Sequence, residues 1–298
     1  MIESKTQKYI LRAIAIIILI ALSVGCIIPF VIVISASFSD ETALVSQGYS
    51  LLPRNFSLAA YGSILKNPKQ LTDSYILTIF VTVVGSLVSI LMVSAAAFPL
   101  SRKDYRWKKP INFYYYLTMV FSGGTIPTYI LISKYLHMKN SIAVLIVPTL
   151  FNSYNMFLLK TYFSQLPSSL YEAAKIDGAN EFYIFFKIAM PLCITGIATV
   201  LLLTGLSYWN SWMQCMLYMT NDKYLTLQYF LQRIMSNIES ITKNANSAKG
   251  MAGGDLSRLP SESARMAMCI LSAGPMVFVS MCFQKFFMRG IAVGAVKG

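Results

Sequence analysis

Six stretches of this sequence, near 13–38, 74–100, 111–133, 141–161, 188–214 and 264–284, are each long and apolar enough to cross a bilayer as a helix. A crossing takes about 20 mainly apolar residues at about 1.5 Å of rise per residue. In hydrocarbon every backbone N–H and C=O must find a partner inside the protein, and a continuous helix supplies those partners locally. The runs therefore predict an all-α integral membrane protein with six transmembrane helices in one transmembrane domain over 1–298. Composition agrees: 56% of the residues are hydrophobic and 12% charged, about half the charge of an ordinary soluble domain. The first run follows Lys5, Lys8 and Arg12 as a secretory signal would, but Ala13 to Ser37 is longer than a signal's apolar region, which favours a retained span.

The runs hold essentially no Asp, Glu, Lys, Arg or His, with Asp73, Glu262 and Arg265 at their margins. Proton-coupled carriers, voltage sensors and membrane-embedded hydrolases place ionisable groups at depth because those groups do the work. Such a chain takes its energy from elsewhere. It has no GxxxxGK[ST] phosphate loop of its own. The net charge of +13 sits in the connecting segments, so it reads as topology rather than as a nucleic-acid footprint. The dense short cluster RKDYRWKK at 102–109 decides the direction, together with Lys5, Lys8 and Arg12, with Lys160, Lys175 and Lys187, and with Lys285, Arg289 and Lys297. With these inside, both termini are cytoplasmic, N-in and C-in. Prolines 29, 99, 127, 148, 191 and 275 lie in or near the runs, where each either bends a helix or is simply tolerated. Cys26, Cys193, Cys215, Cys269 and Cys282 are scattered singly, and His137 has no carboxylate or cysteine nearby in the sequence, so no metal, redox or catalytic role is assigned.

The inner loop between the fourth and fifth runs, 164–187, carries the most specific pattern, LPSSLYEAAKIDGANEFYIFFKIAMPL from Leu166 to Leu192. It reads as two short helices joined by a turn. Ser168 or Ser169 can cap the first, Glu172 falls in its opening turn, and Gly178 stops it. A second amphipathic helix starts near Asn180. Tyr171, Ala173, Ala174 and Ile176 offer an apolar knob, with Glu172, Lys175 and Asp177 facing the other way. Such a knob fits a groove of a soluble partner or, equally, lies on the membrane surface.

EAA at 172–174, Gly178, and then Ile188, Ala189, Met190 and Pro191 resemble the EAA signature of ATP-binding-cassette (ABC) importer permeases, with Met190 where that family usually has Leu. The run SGGTIPTYILI at 122–132, the DGA after the triplet and the ending QKFFMRGIAVGAVKG from Gln284 are similar to its carbohydrate branch. The resemblance spans nearly the whole chain. It implies the type I ABC importer permease fold and a coupling role for Glu172, Ala173, Ala174, Asp177, Gly178 and Pro191 in docking to a separate ATPase. It also implies a second homologous permease, two ATP-binding subunits holding the ATP and Mg, and an extracytoplasmic solute-binding protein of the lipoprotein type. This chain itself would carry no cofactor, would have membrane lipid around it, and would move a carbohydrate, an oligosaccharide first, along a path between the two permeases.

Between the fifth and sixth runs lies an outer loop, 215–263, with a helical piece from Tyr224 to Ile241 and a Gly, Ser and Asn-rich stretch from Asn244 to Asp255. It either meets the binding protein or merely connects. At the end of the fifth run, SYWNSWMQ supplies Tyr208, Trp209, Asn210, Trp212 and Gln214, the rings and amides that a sugar path uses and that an interfacial belt uses too. Gly290, Gly294 and Gly298 space a flexible basic tail that contacts either the ATPase or lipid headgroups. Two other functions compete: a self-sufficient secondary carrier, and a membrane-embedded sugar transferase using Glu172, Asp177 and Glu181.

Overall fold

In the computed structural model, residues 5–65, 68–221, 223–248 and 262–295 are described. Among them the chain is helical, apart from one isolated antiparallel bridge between Ser39 and Phe56. In chain order the helices are α1 (Lys5–Ser37), α2 (Glu41–Gln47), α3 (Ala59–Ile64), α4 (Pro68–Ser101), α5 (Lys108–Val120), α6 (Thr125–Ile130), α7 (Ala143–Ile146), α8 (Ser153–Ser164), α9 (Ser168–Ile176), α10 (Glu181–Tyr183), α11 (Met190–Leu192), α12 (Ile194–Trp209), α13 (Trp212–Tyr218), α14 (Leu227–Ala248) and α15 (Glu262–Ala295). The chain divides into two units, one of residues up to 68 with 231–274, the other of 69–230 with the remainder from Pro275.

In the first unit, α1 exposes its apolar side chains on every side from Leu11 to Phe30. A helix apolar all round belongs in lipid or against another chain. Phe38 stacks on Phe56 and Tyr61 with ring centroids 5.7 and 5.2 Å away, which turns the chain back after α1. Asp40 caps α2, its carboxylate accepting from the Thr42 N–H at 3.0 Å. Glu41, only 6% exposed, accepts from the Glu262 and Ser263 N–H groups at 2.9 Å each and from the Ser263 hydroxyl at 2.7 Å. Its carboxylate thus meets the unpaired donors and the positive dipole end where α15 begins.

The second unit is built on α4, whose 34 residues extend about 51 Å. Small residues let neighbours approach it. A Cβ on Gly85 would lie 2.6 Å from the Tyr208 ring of α12, and one on Gly196 of α12 would lie 2.5 Å from Tyr162 of α8. Ile90, Val93, Phe98, Met156, Phe163 and Phe185 gather in one buried cluster at the end of α4 that carries Phe98.

The first, second and last apolar runs are continuous helices, passing through Pro29, Pro99 and Pro275 without interruption. The other three are broken, which corrects the expectation of one helix each. Run 111–133 stops at Val120, passes through Phe121–Gly124 and restarts as α6, with a π turn at Leu131–Tyr135. Gly124 sits at φ +86, a conformation that glycine adopts without penalty, and the 13 residues of α5 reach only about 20 Å. Run 141–161 is Ala143–Thr149 and Ser153–Ser164, bent by 55°, where Pro148 lies in a 3-10 turn. Run 188–214 begins within Glu181–Leu192, bends by 82° into α12 and stops at Trp209. Pro191 lies just before that bend and contributes no N–H to the helix. Among the described residues, three single helices are therefore long and apolar enough to cross a membrane, or up to five if each bent pair is one span.

The helical piece expected over 224–241 is α14, three residues later in start and seven later in end; residues 249–261, which take in the rest of the Asn244–Asp255 stretch, lie outside the described residues. The tail is corrected too: α15 runs as helix through Gly290 and Gly294 to Ala295, while Gly298 is outside the described residues.

Candidate coupling segment and transport path

The segment 166–192 folds as two helical pieces about a glycine. Helix α9 starts with Pro167 at its N-cap and no side-chain cap, so neither Ser168 nor Ser169 plays that part, and Glu172 falls beyond the first turn. Its end follows the expected pattern. Gly178 lies at φ +79, its N–H donates to Lys175 O at 3.0 Å, and the Ala179 N–H donates to Ala174 O at 2.9 Å. These two bonds make a Schellman stop, which satisfies carbonyls the helix leaves open. Asn180 then caps α10, its side-chain oxygen accepting from the Tyr183 N–H at 2.7 Å. Helix α10 runs on through a π turn, Ile184–Ala189, into α11, where Pro191 is exposed.

The expected apolar knob is split between two faces. Tyr171 and Ala174 are buried in the chain's own cluster, with the Tyr171 ring edge-on to Phe98 at 5.9 Å. Leu170, Glu172, Ala173 and Asp177 are exposed, and Ile176 is 86% exposed. At helical spacing 171 and 174 share one face while 173 and 176 share another. Of the alanine pair, therefore, Ala173 alone is open to a partner.

Beneath α9 lies a charge cluster that sequence reasoning missed. The Arg102 guanidinium, its side chain 9% exposed, donates to both Asp104 oxygens at 3.1 and 2.9 Å and to Glu181 Oε2 at 3.1 Å. It also lies 4.9 Å over the Tyr171 ring. Lys175 Nζ of α9 reaches Glu181 Oε1 at 2.9 Å and Asp104 Oδ2 at 3.8 Å. Hydrogen bonds from Arg102 hold the Asp104 carboxyl below its ordinary range, while burial pushes the Tyr171 hydroxyl up to about 12. Arg102, Asp104, Glu181, Phe182, Phe185 and Phe186 line part of a cavity of about 470 Å³ beside the cluster. The sequence signal for it is the RKD triplet at 102–104, whose charges alone point to topology and not to a pairing.

The residues of the SYWNSWMQ path do not share one surface. Tyr208 is 1% exposed and its hydroxyl donates to Ile146 O at 2.9 Å, so that group is committed to packing. Trp209 is buried and borders a cavity of about 480 Å³ with Tyr75, Thr82, Ser86 and Gly205. The Thr82 and Ser86 hydroxyls there are buried without a hydrogen-bond partner. Asn210 and Trp212 are exposed and Gln214 is half-buried; Asn210 Oδ1 accepts from Gln228 at 3.3 Å. On the loop after α6, Asn140 Oδ1 accepts from the Thr220 and Asn221 N–H groups at 2.8 and 3.3 Å, joining it to the chain after α13. His137 is exposed there at φ +49.

The family described as the binding-protein-dependent transport system inner membrane component matches residues 60–293. Among curated proteins, the chain is 37% identical over 273 residues to the polygalacturonan/rhamnogalacturonan transport system permease protein YtcP of Bacillus subtilis, covering 92% of this chain and 93% of that one. It is 25% identical over 279 residues to the arabinooligosaccharides transport system permease protein AraQ of Halalkalibacterium halodurans, covering 91% of each. Among solved structures, a chain of a bacterial ABC transporter involved in the import of the acidic polysaccharide alginate superposes with a TM-score of 0.78 at 27% identity, over 96% of this chain and 99% of that one.

Proposed function

The chain belongs to the family of binding-protein-dependent transport system inner membrane components and is a permease subunit of a sugar importer; from that premise we propose how it works. It forms one half of a pore with a second, homologous permease, and two separate subunits hydrolyse the ATP, holding the Mg that ATP requires. An extracytoplasmic solute-binding protein of the lipoprotein type delivers the cargo. The cargo is an oligosaccharide. The relatives named for polygalacturonan, rhamnogalacturonan and alginate favour an acidic one, and a net charge of +13 is compatible with that.

Six spans with both termini inside account for the helices best, α5 together with α6 making one broken crossing. The carrier and transferase readings leave the 166–192 segment without a purpose. In this proposal the exposed face of α9, with Glu172, Ala173 and Asp177, seats against the ATPase; Gly178 fixes the turn and Pro191 the exit into α12. The observation that carries this reading is the Schellman stop at Gly178 beneath an exposed face holding Ile176.

The test is ATP hydrolysis by the co-purified complex in lipid, with binding protein and a panel of neutral and acidic oligosaccharides. Wild type should be stimulated by at least one sugar, and Glu172→Ala and Gly178→Asp should each abolish that stimulation. Absence of an associated ATPase, or indifference to both substitutions, would overturn the reading.

A further inference from the structure

Resting on that coupling reading, we propose that Arg102 is a positioning residue, a latch that makes the coupling segment and helix α4 move as one body. The segment needs such a link. Helix α9 has nine residues, too few to be stable alone, and it ends at a glycine turn, so force applied to its exposed face would bend it rather than travel. The descending path from α8 into α9 passes through Pro167, a second place where the chain can pivot.

Arg102 follows directly on Ser101, the last residue of α4, so whatever its guanidinium holds is tied to that span. It holds both sides of the glycine turn. Glu181 lies just after the turn and accepts from Arg102 at 3.1 Å; the same carboxylate receives Lys175, just before the turn, at 2.9 Å. Asp104 closes the ring with two bonds from the same guanidinium. Tyr171 of α9 lies under the guanidinium at 4.9 Å, and its ring is packed on Phe98 of α4.

The individual carboxylates are 57% and 62% exposed, and a lone exposed pair contributes little. The difference here is convergence: one nearly buried planar fork serves two carboxylates and an aromatic face at once, the geometry that arginine provides and lysine does not. Helix α4 is also the element against which Tyr208 of α12 packs through Gly85. A displacement of α9 therefore reaches the candidate transport path through rigid, closely packed contacts.

The experiment uses the complete complex in lipid with wild type, Arg102→Ala, Glu181→Ala and the double variant, and reads two quantities. The first is amide hydrogen exchange over 168–178. The second is ATP hydrolysed per sugar imported, using whichever oligogalacturonide or arabino-oligosaccharide stimulates the wild type. Each single variant should raise exchange over 168–178 and raise the ATP spent per sugar about fivefold. The double variant should fall short of the sum of the two singles, because the Arg102–Glu181 bond is lost in both while Lys175–Glu181 and Arg102–Asp104 are each lost in one.

Faster exchange with an unchanged ratio would mean that Arg102 only stabilises the segment, and would overturn the latch; additive effects on the ratio would do the same. A wild-type complex that no sugar stimulates would instead overturn the importer reading, and the latch with it.

Discussion

Glycines 85 and 196 show how little room single residues leave in the second unit. A methyl group at either would push against an aromatic ring at 2.6 or 2.5 Å, and overpacking of this kind costs about 1–3 kcal/mol. Gly85→Ala should lower the melting temperature of the purified chain and disturb the Tyr208 hydrogen bond to Ile146, whereas Tyr208→Phe, which removes that bond alone, should cost about 1 kcal/mol. A thermal scan of both variants in one detergent checks the order. Asp104 gives a pH prediction. Its carboxyl is held below the ordinary range by Arg102, so its contribution is present above the unfolded carboxylate pKa and is lost as pH falls through the lower folded value. Exchange protection of 168–178, corrected for intrinsic rates, should thus stay level from about pH 8 to 5 and fall only below about pH 4. Protection lost near neutrality would contradict this.

Helix boundaries were legible where backbone chemistry sets them and obscure where side chains meet across the chain. Gly178 reads as a stop because the Schellman turn needs a left-handed residue at that point, and Asn180 marks the next start for the same local reason. Gly178→Ala should cost about 1 kcal/mol at that positive φ, and Asn180→Ala about 1 kcal/mol as a lost cap; both should appear as raised exchange at 176–183. The break in 111–133 falls at Ser122-Gly123-Gly124, two glycines that interrupt a helix inside a run whose apolar length alone is enough for a full crossing. The bends before α8 and α12 depend on packing that apolar length does not encode. Nothing local announces that Arg102 meets Glu181, 79 positions away, nor that Tyr171 turns inward while Ile176 turns outward. The EAA triplet is legible as a pattern, yet nothing in it says that its two alanines take different faces, Ala174 buried and Ala173 exposed.

At the scale of the whole molecule, membrane placement makes a definite prediction. In a cysteine-free background, Lys109→Cys should react with an impermeant maleimide only from the cytoplasmic side, and Lys139→Cys only from the outside. The opposite pattern would reverse the N-in, C-in proposal. Helix α1 sets a second condition: with apolar groups on every face from Leu11 onward, it has to be covered by lipid or by another chain.

The carboxylate of Glu41 leaves the ribosome 221 residues ahead of the Glu262 amide it will bind. The contact that starts α15 therefore closes only after nearly every other segment has been made. Such long-range contacts are slow to form and leave the nascent protein vulnerable until they do. A chain cut short before Glu262 could hold most of its spans and still lack these donors for the buried Glu41 carboxylate. A quality-control protease would then meet an unfinished product rather than a smaller transporter, so a frameshift late in the gene should be about as damaging as one near its beginning.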